Sequence, residues 1–326
     1  MIAAASLLAV ALPLALKVSA APLPASATAE GLDISQGLQN ILANTHGSDA
    51  YTYPTDLTRG IVPKPIHSHN DYWRDVPFYT ALSVGAISVE ADVYLYNDTL
   101  YVGHEISALT PKRTLDSLYI QPILDVLKRE NPSSEFVPKP THNGVYDTSS
   151  GQTLYLFIDL KSAGNTTWPA VVEALQPLRD AKYLSTWNGT GITWGPVTVI
   201  GTGNTPLDQV QPVQQRDYFF DANLALLKTD QANITAGVSP VASTQFSKYI
   251  GEIEDAKFND TQLEILRGHI EEAKKRGILA RYWDTPAWPL STRNAVWTTL
   301  VHEGVGLLNA DDLPEAAGFG GVAGFW

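Results

Sequence analysis

Between Gly85 and Asn97 the chain reads AISVEADVYLY, an apolar run rich in β-branched and aromatic residues that carries two acids, Glu90 and Asp92. Side chains on a strand alternate between faces, so these two carboxylates point the same way. An ionised carboxylate is too costly to bury without a partner, and a pair of them in an apolar strand calls for a counter-charge. A divalent cation supplies one. The alternative left open by the pair alone is an edge strand whose wet face carries both acids.

Two imidazoles flank the pair. His69 follows the short run Pro65-Ile66-His67-Ser68 and His104 follows Leu100-Tyr101-Val102-Gly103, so each stands where a strand gives way to a loop. Histidines at strand ends around an E-x-D pair have the makings of an acid and a base beside a metal. His67 is a further candidate, since it shares a face with His69 if the strand continues through both.

Composition narrows the classes. With 326 residues the chain can bury a large core. A net charge of -12 argues against nucleic-acid or anionic-membrane partners, because wide phosphate surfaces would go unneutralised. Any phosphate must be met locally, by a metal or a few cations. The absence of cysteine excludes disulfides, thiolate catalysis and cysteine-ligated zinc.

Residues 2–16 form an apolar run followed by Val18-Ser19-Ala20, which reads as a signal peptide cleaved after Ala20, with an uncleaved anchor as the alternative. Five sequons, at Asn97, Asn165, Asn188, Asn233 and Asn259, fit a glycoprotein of the secretory pathway. A secreted monomer without a stable membrane span after cleavage is the expectation.

Residues 21–57 read as a linker holding one short helix, and 58–326 as a single domain. Candidate strands at 62–67, 86–95, 153–160, 196–201, 217–220, 238–246, 278–283 and 304–308 alternate with candidate helices at 76–84, 114–129, 168–179, 206–214, 260–275 and 291–302. Alternation of this kind predicts an α/β protein with a parallel sheet. Eight strands with chemistry at their carboxyl ends fit a single (β/α)8 TIM barrel, with a doubly wound open sheet as the alternative. The polar stretch 131–152 is expected to form a long loop over the barrel mouth or its rim.

Other strand ends carry more chemistry. Asp159 and Lys161 share a face at the end of an apolar strand, which adds one hard oxygen ligand and one cation. Glu90, Asp92 and Asp159 make an all-carboxylate set suited to Mg²⁺ or Ca²⁺ rather than zinc. Lys161 can then meet a phosphate oxygen. Arg281 and Trp283 can wall a substrate pocket, and Asn309 ends the last strand nearest the expected mouth. Asp311 or Asp312 can cap the helix that follows.

The segments HSHNDY, SVEADVYLYNDTLYVGHE, LFIDLK, ARYWDTP and LLNADDL together resemble the altered inheritance of mitochondria protein 6 family, a branch of the phospholipase-C-like phosphodiesterase superfamily that is related to glycerophosphodiester phosphodiesterases and sphingomyelinase D. The resemblance spans about residues 60–313. It implies a TIM barrel with one divalent ion held by Glu90, Asp92 and Asp159, with His69 and His104 as acid and base on a phosphodiester. Lys161 matches the lysine that follows the third acid in the sphingomyelinase D branch. The glycerophosphodiesterase pattern His-Arg-Gly is replaced by His69-Asn70-Asp71, so Lys161, Arg74 or Arg281 has to meet the phosphate instead. Despite the family's name, residues 1–30 do not have the Arg-rich, amphipathic character of a mitochondrial transit peptide.

The function expected is a metal-dependent phosphoric diester hydrolase acting on a phospholipid-derived or glycerophosphodiester substrate. A cyclic phosphate forms first if a neighbouring substrate hydroxyl attacks. The rival readings are a secreted glycoside hydrolase, given 8 Trp and 14 Tyr, and a non-catalytic barrel that binds a lipid headgroup or a surface partner.

Overall fold

The computed structural model describes residues 34–45 and 47–323, so the expected signal peptide lies outside the described residues. The chain divides into two compact units between Thr52 and Tyr53. The first holds the helix Gln36–Thr45 and a short turn at Asp49–Tyr51. Among the described residues no helix is long and apolar enough to cross a membrane.

The second unit contains all the strands among the described residues, in the order β1 (Lys64–Ser68), β2 (Ala86–Tyr96), β3 (Thr99–Val102), β4 (Leu154–Leu160), β5 (Thr186–Trp187), β6 (Ile192–Thr193), β7 (Val197–Gly203), β8 (Phe219–Phe220), β9 (Ala222–Asn223), β10 (Val241–Gln245), β11 (Leu279–Trp283) and β12 (Leu308–Ala310). It is a mixed α/β fold with mostly parallel strands. One sheet runs β12-β1-β2-β4-β7-β8, with β3 folded back antiparallel on β2, and another runs β9-β10-β11. The two sheets meet twice. Only Asp221 separates β8 from β9, and beyond β11 a lone parallel bridge joins Arg281 to Leu307, just before β12.

The parallel strands are near-continuous apolar runs because both of their faces are covered, as in β2, where Ala86 to Val93 are all buried. Val89, Ala91, Val93, Leu156, Ile158 and Leu160 belong to the hydrophobic core. The alternate positions hold Ser88, Glu90, Asp92, Phe157 and Asp159. Register decides the rest: Asp92 pairs across from Asp159, and Glu90 from Phe157.

Helices follow the strands where the 3.6-residue pattern places them. Gln121–Glu130 buries Ile123, Leu124, Val126 and Leu127 after a π-helical turn at Asp116–Ile120. Asp260–Lys275 starts at a capping box, with Asn259 accepting from the Gln262 amide and the Gln262 side chain accepting from that of Asn259. It ends with Lys274 and Lys275 in its last turn.

The loop 131–152 corrects one expectation. It follows a helix and precedes β4, so it packs at the amino-terminal ends of the strands and does not overhang the site. The Tyr146 hydroxyl donates to Ala86 O at 2.6 Å, and Thr148 Oγ1 donates to Ile61 O at 2.5 Å.

Gly203 closes β7 at φ 63°, and a Cβ built there would lie 1.9 Å from Asp159 Oδ1. Both the backbone and the approach require glycine. Gly203→Ala is expected to lower unfolding stability by about 1–3 kcal/mol and to displace the Asp159 carboxylate. Urea denaturation measures this, and an unchanged midpoint would contradict it.

Candidate functional site

At the carboxyl ends of β1, β2, β4, β7 and β11 lies a cavity of about 590 Å³ lined by His69, Glu90, Asp92, His104, Asp159, Lys161, Arg281 and Trp283 among others. Oxygens of Glu90, Asp92 and Asp159 lie within 4.8 Å of one another, the one group among the described residues whose geometry suits a metal ion. Other concavities, along the helix Asp260–Lys275 and beside the β5–β6 hairpin, hold no such cluster.

Each acid has a distinct environment. Glu90 Oε2 accepts from the Asn70 amide at 2.9 Å, and Asn70 adopts a left-handed conformation, φ 50°, as the chain turns out of β1. Burial would raise the Glu90 pKa, but the contact with His67 and the charge of Arg281 hold it well below the usual carboxylate range. Asp92 is 1% exposed. Its Oδ2 accepts from the Tyr72 hydroxyl at 2.7 Å and lies 3.1 Å from both His104 Nδ1 and Lys161 Nζ, while its buried Oδ1 has no partner. Burial, then the negative charges of Glu90 and Asp159, push its pKa up to about 6. Asp159 is likewise raised by burial despite Lys161 Nζ at 2.9 Å from its Oδ2.

The lysine therefore bridges two of the three acids. It offsets part of a repulsion that would otherwise favour protonated carboxyls. The lone Asp92 Oδ1 and the purely oxygen donor set fit a hard divalent ion such as Mg²⁺ or Ca²⁺.

The two histidines are each held at Nδ1. His69 Nδ1 is 2.8 Å from Asp311 Oδ1, with its Nε2 3.8 Å from Glu90 Oε2. Burial would lower the His69 pKa, but the Asp311 hydrogen bond and the Glu90 charge outweigh it and the pKa rises. His104 Nδ1 meets Asp92 Oδ2 and lies 3.0 Å from the Tyr72 hydroxyl, and the Trp73 ring packs on the imidazole at a centroid distance of 5.4 Å. The β2–β3 hairpin delivers this histidine, because Val93 pairs with Val102 and the turn brings residue 104 back beside Asp92.

Three expected site residues stand elsewhere. His67 is fully buried, bonded through Nδ1 to Ser88 Oγ at 2.7 Å and edge-on to Phe157. Burial and the Arg281 charge lower its pKa to about 3, so it is a neutral structural residue beneath Glu90. Asn309 is buried too and does not line the cavity; its Oδ1 accepts from Arg281 Nε at 3.0 Å. Arg74 does not line the cavity, and its guanidinium donates to the carbonyls of His69, Ala310 and Asp311 and to Ser68 Oγ.

Arg281 does line the cavity. Its Nη2 is 3.7 Å from Glu90 Oε1, and its guanidinium lies 5.0 Å above the Phe157 ring. Trp283, 37% exposed, walls the same opening.

Sequence reasoning missed Tyr72, although it stands in the HSHNDY segment: nothing in a lone tyrosine tells which acid it will reach. It left the helix cap open between Asp311 and Asp312: Asp312 Oδ1 accepts from the Glu315 amide, and Asp311 turns to His69. Asp221 was missed as well. Its side chain is only 5% exposed beside Arg281 and accepts from Thr202 Oγ1 at 3.0 Å, with a pKa raised by burial to about 6.

An α/β fold thus brings three clustered carboxylates, two oriented histidines and two cations into one pocket at the ends of its parallel strands. The family follows from comparison with known proteins. Residues 55–221 match the AIM6-like phosphodiesterase domain. The "Altered inheritance of mitochondria protein 6 homolog" of Arthroderma benhamiae is 57% identical over 296 residues, 88% of this chain and 93% of that protein. "Altered inheritance of mitochondria protein 6" of Eremothecium gossypii is 38% identical over 279 residues, 81% of this chain and 71% of its own. The chain belongs to the AIM6-like phosphodiesterase family. Among solved structures, a phosphatidylinositol-specific phospholipase C from Listeria monocytogenes covers 80% of this chain and 91% of its own at a TM-score of 0.39 and 11% identity, a likeness too distant to bear on the site.

His69 has a raised folded-state pKa, so its contribution to stability is present below 6.5 and is lost as pH rises through the raised value. In chelator-treated protein its ring should titrate above 6.5 by NMR, and Asp311→Asn should move the midpoint down. A midpoint that ignores Asp311 would contradict the pairing.

Proposed function

We propose that the protein is a metal-dependent phosphoric diester hydrolase that uses His69 and His104 as its base and acid on a phospholipid-derived or glycerophosphodiester substrate. The observation that carries this reading is one cavity holding both the buried acid cluster, with its unpartnered Asp92 oxygen, and two histidines fixed at Nδ1. The family's phosphodiesterase description supports the reaction class.

Glu90, Asp92 and Asp159 would hold Mg²⁺ or Ca²⁺, which supplies Lewis-acid stabilisation of the charge on a non-ester phosphate oxygen. The protein's own residues do the rest. With Nδ1 bound to Asp311, neutral His69 presents Nε2 as the acceptor of a proton from the attacking oxygen. His104, fixed by Asp92 and Tyr72, delivers a proton from Nε2 to the departing alkoxide. These roles exchange if the substrate lies in the opposite orientation. Arg281 and Lys161 supply the cationic contacts that the absent His-Arg-Gly arginine would have made.

The scaffold belongs to the same proposal. The strand break at Asp221 and the Arg281–Leu307 bridge support the two sheets being one closed eight-stranded barrel that spans about residues 58–326. The apolar run at 2–16, with the small residues that follow it, supports export.

A panel of a chromogenic diester, glycerophosphocholine and lysophosphatidylcholine tests the reading. Turnover should need added Mg²⁺ or Ca²⁺, and His69→Ala or His104→Ala should each cut kcat by roughly 10²–10⁴. No turnover of any diester while metal still binds would make the protein a lipid-headgroup or surface-partner binder instead. Phosphorus NMR at early times separates a cyclic phosphate product from direct hydrolysis.

Lys161 competes with the cation for Asp92 and Asp159 oxygens. Lys161→Met is therefore expected to tighten metal binding by about tenfold or more while lowering turnover. Weaker binding in calorimetry would contradict the competition.

Asp92 gives a pH dependence. Its raised pKa means that, without metal, stability falls as pH rises from about 4 to about 6. A divalent ion should thus raise Tm more at pH 7 than at pH 5. An equal shift at both would argue against the acids as ligands.

A further inference from the structure

The five sequons play no part in that chemistry, and the structure says something about them that the sequence does not. All are N-x-T, with Thr99, Thr167, Thr190, Thr235 and Thr261 supplying the hydroxyl. All five asparagines are exposed.

Their side chains share a pattern. Asn188 Oδ1 accepts from the amides of Thr190 at 3.0 Å and Gly191 at 2.9 Å, and from Thr190 Oγ1 at 2.9 Å. Asn259 Oδ1 accepts from the Gln262 amide at 2.9 Å, and Asn165 Oδ1 accepts from Gln209 Nε2 at 3.3 Å. Asn97 and Asn233 use neither side-chain atom. Where these residues bond, they bond through oxygen, and no Nδ2 donates. A free Nδ2 is not peculiar to the sequons, since Asn40, Asn223, Asn294 and Asn309 also bond through Oδ1 alone, but Asn44, Asn131, Asn143 and Asn204 donate Nδ2 to backbone carbonyls and would lose that bond on modification.

We propose that Asn97, Asn165, Asn188, Asn233 and Asn259 are N-glycosylation sites, each carrying an oligosaccharide on an Nδ2 that the fold leaves free. The amide nitrogen attacks the anomeric carbon of an oligosaccharide carried on a lipid pyrophosphate. A nitrogen–carbon bond forms, the bond from that carbon to the pyrophosphate oxygen breaks, and the lipid pyrophosphate leaves with the electron pair while the amide proton passes to base. The reaction takes place on the chain during export, before folding is complete. The folded protein must then bury no modified nitrogen and lose no donor. The five positions meet both conditions, and the Oδ1 contacts that cap Asp260–Lys275 and close the 188–191 turn survive the modification.

The proposal does not depend on the phosphodiesterase reading; it depends on passage through a glycosylating secretory pathway. The full chain secreted from a fungal host, treated with peptide N-glycosidase in heavy-oxygen water, provides the test, because each released asparagine becomes a labelled aspartate. Label at most of the five sequon asparagines and at none of the other asparagines is expected. A variant with all five threonines changed to Ala should be secreted as an unlabelled species of a single mass. Label at fewer than half of the five, or at asparagines whose Nδ2 donates in the fold, would overturn the proposal.

Discussion

The structure turns on the repulsion among three carboxylates held at the ends of neighbouring strands. Parallel pairing sets Asp92 opposite Asp159, and alternation along β2 sets Glu90 on the same face one step below. Each acid is buried, or nearly so, where the effective dielectric is low and like charges are costly. The surroundings offset this by degrees. The pKa of Glu90, nearest Arg281, His67 and the Asn70 amide, is held well below the usual carboxylate range, while those of Asp92 and Asp159, which share one lysine, are pushed up by burial. An inward-facing acid layer short of positive charge is the electrostatic form of a cation site.

The same layer orients the groups around it. Asp92 fixes Tyr72, His104 and Lys161 through one oxygen, so the histidine and lysine edges of the cavity share an anchor. On the far side, Asp311 does for His69 what Asp92 does for His104. The two histidines reach the cavity by different routes, one from the end of a central strand and one from a hairpin. Below them, His67, Phe157, Asn309 and Ser243 pack around Arg281 and keep its guanidinium from drifting.

Much of this was legible in the chain. The strand positions follow from short apolar runs bounded by turn residues, and the E-x-D pair with Asp159 follows from period-two alternation. Contacts that depend on register or on a turn were not. Tyr72 meets Asp92 only because Asn70 takes a left-handed conformation, and whether Asp311 or Asp312 caps the following helix depends on which one the end of β12 turns inward. His67 misled for a related reason: it shares a face with His69, but it lies lower in the strand, beneath Glu90, where the core seals it. The 131–152 loop misled because its composition says only that it is a loop, whereas its position after a helix and before a strand puts it at the far end of the sheet.

The central claim is that Glu90, Asp92 and Asp159 hold one divalent cation. Titration of Mn²⁺ into the protein, followed by electron paramagnetic resonance, measures that directly, since bound and free ion give different signals. The account predicts one bound ion per chain, displaced by Mg²⁺ or Ca²⁺ and lost in Asp92→Asn. Stoichiometric binding that survives Asp92→Asn, or no binding by a folded wild-type protein, would contradict it.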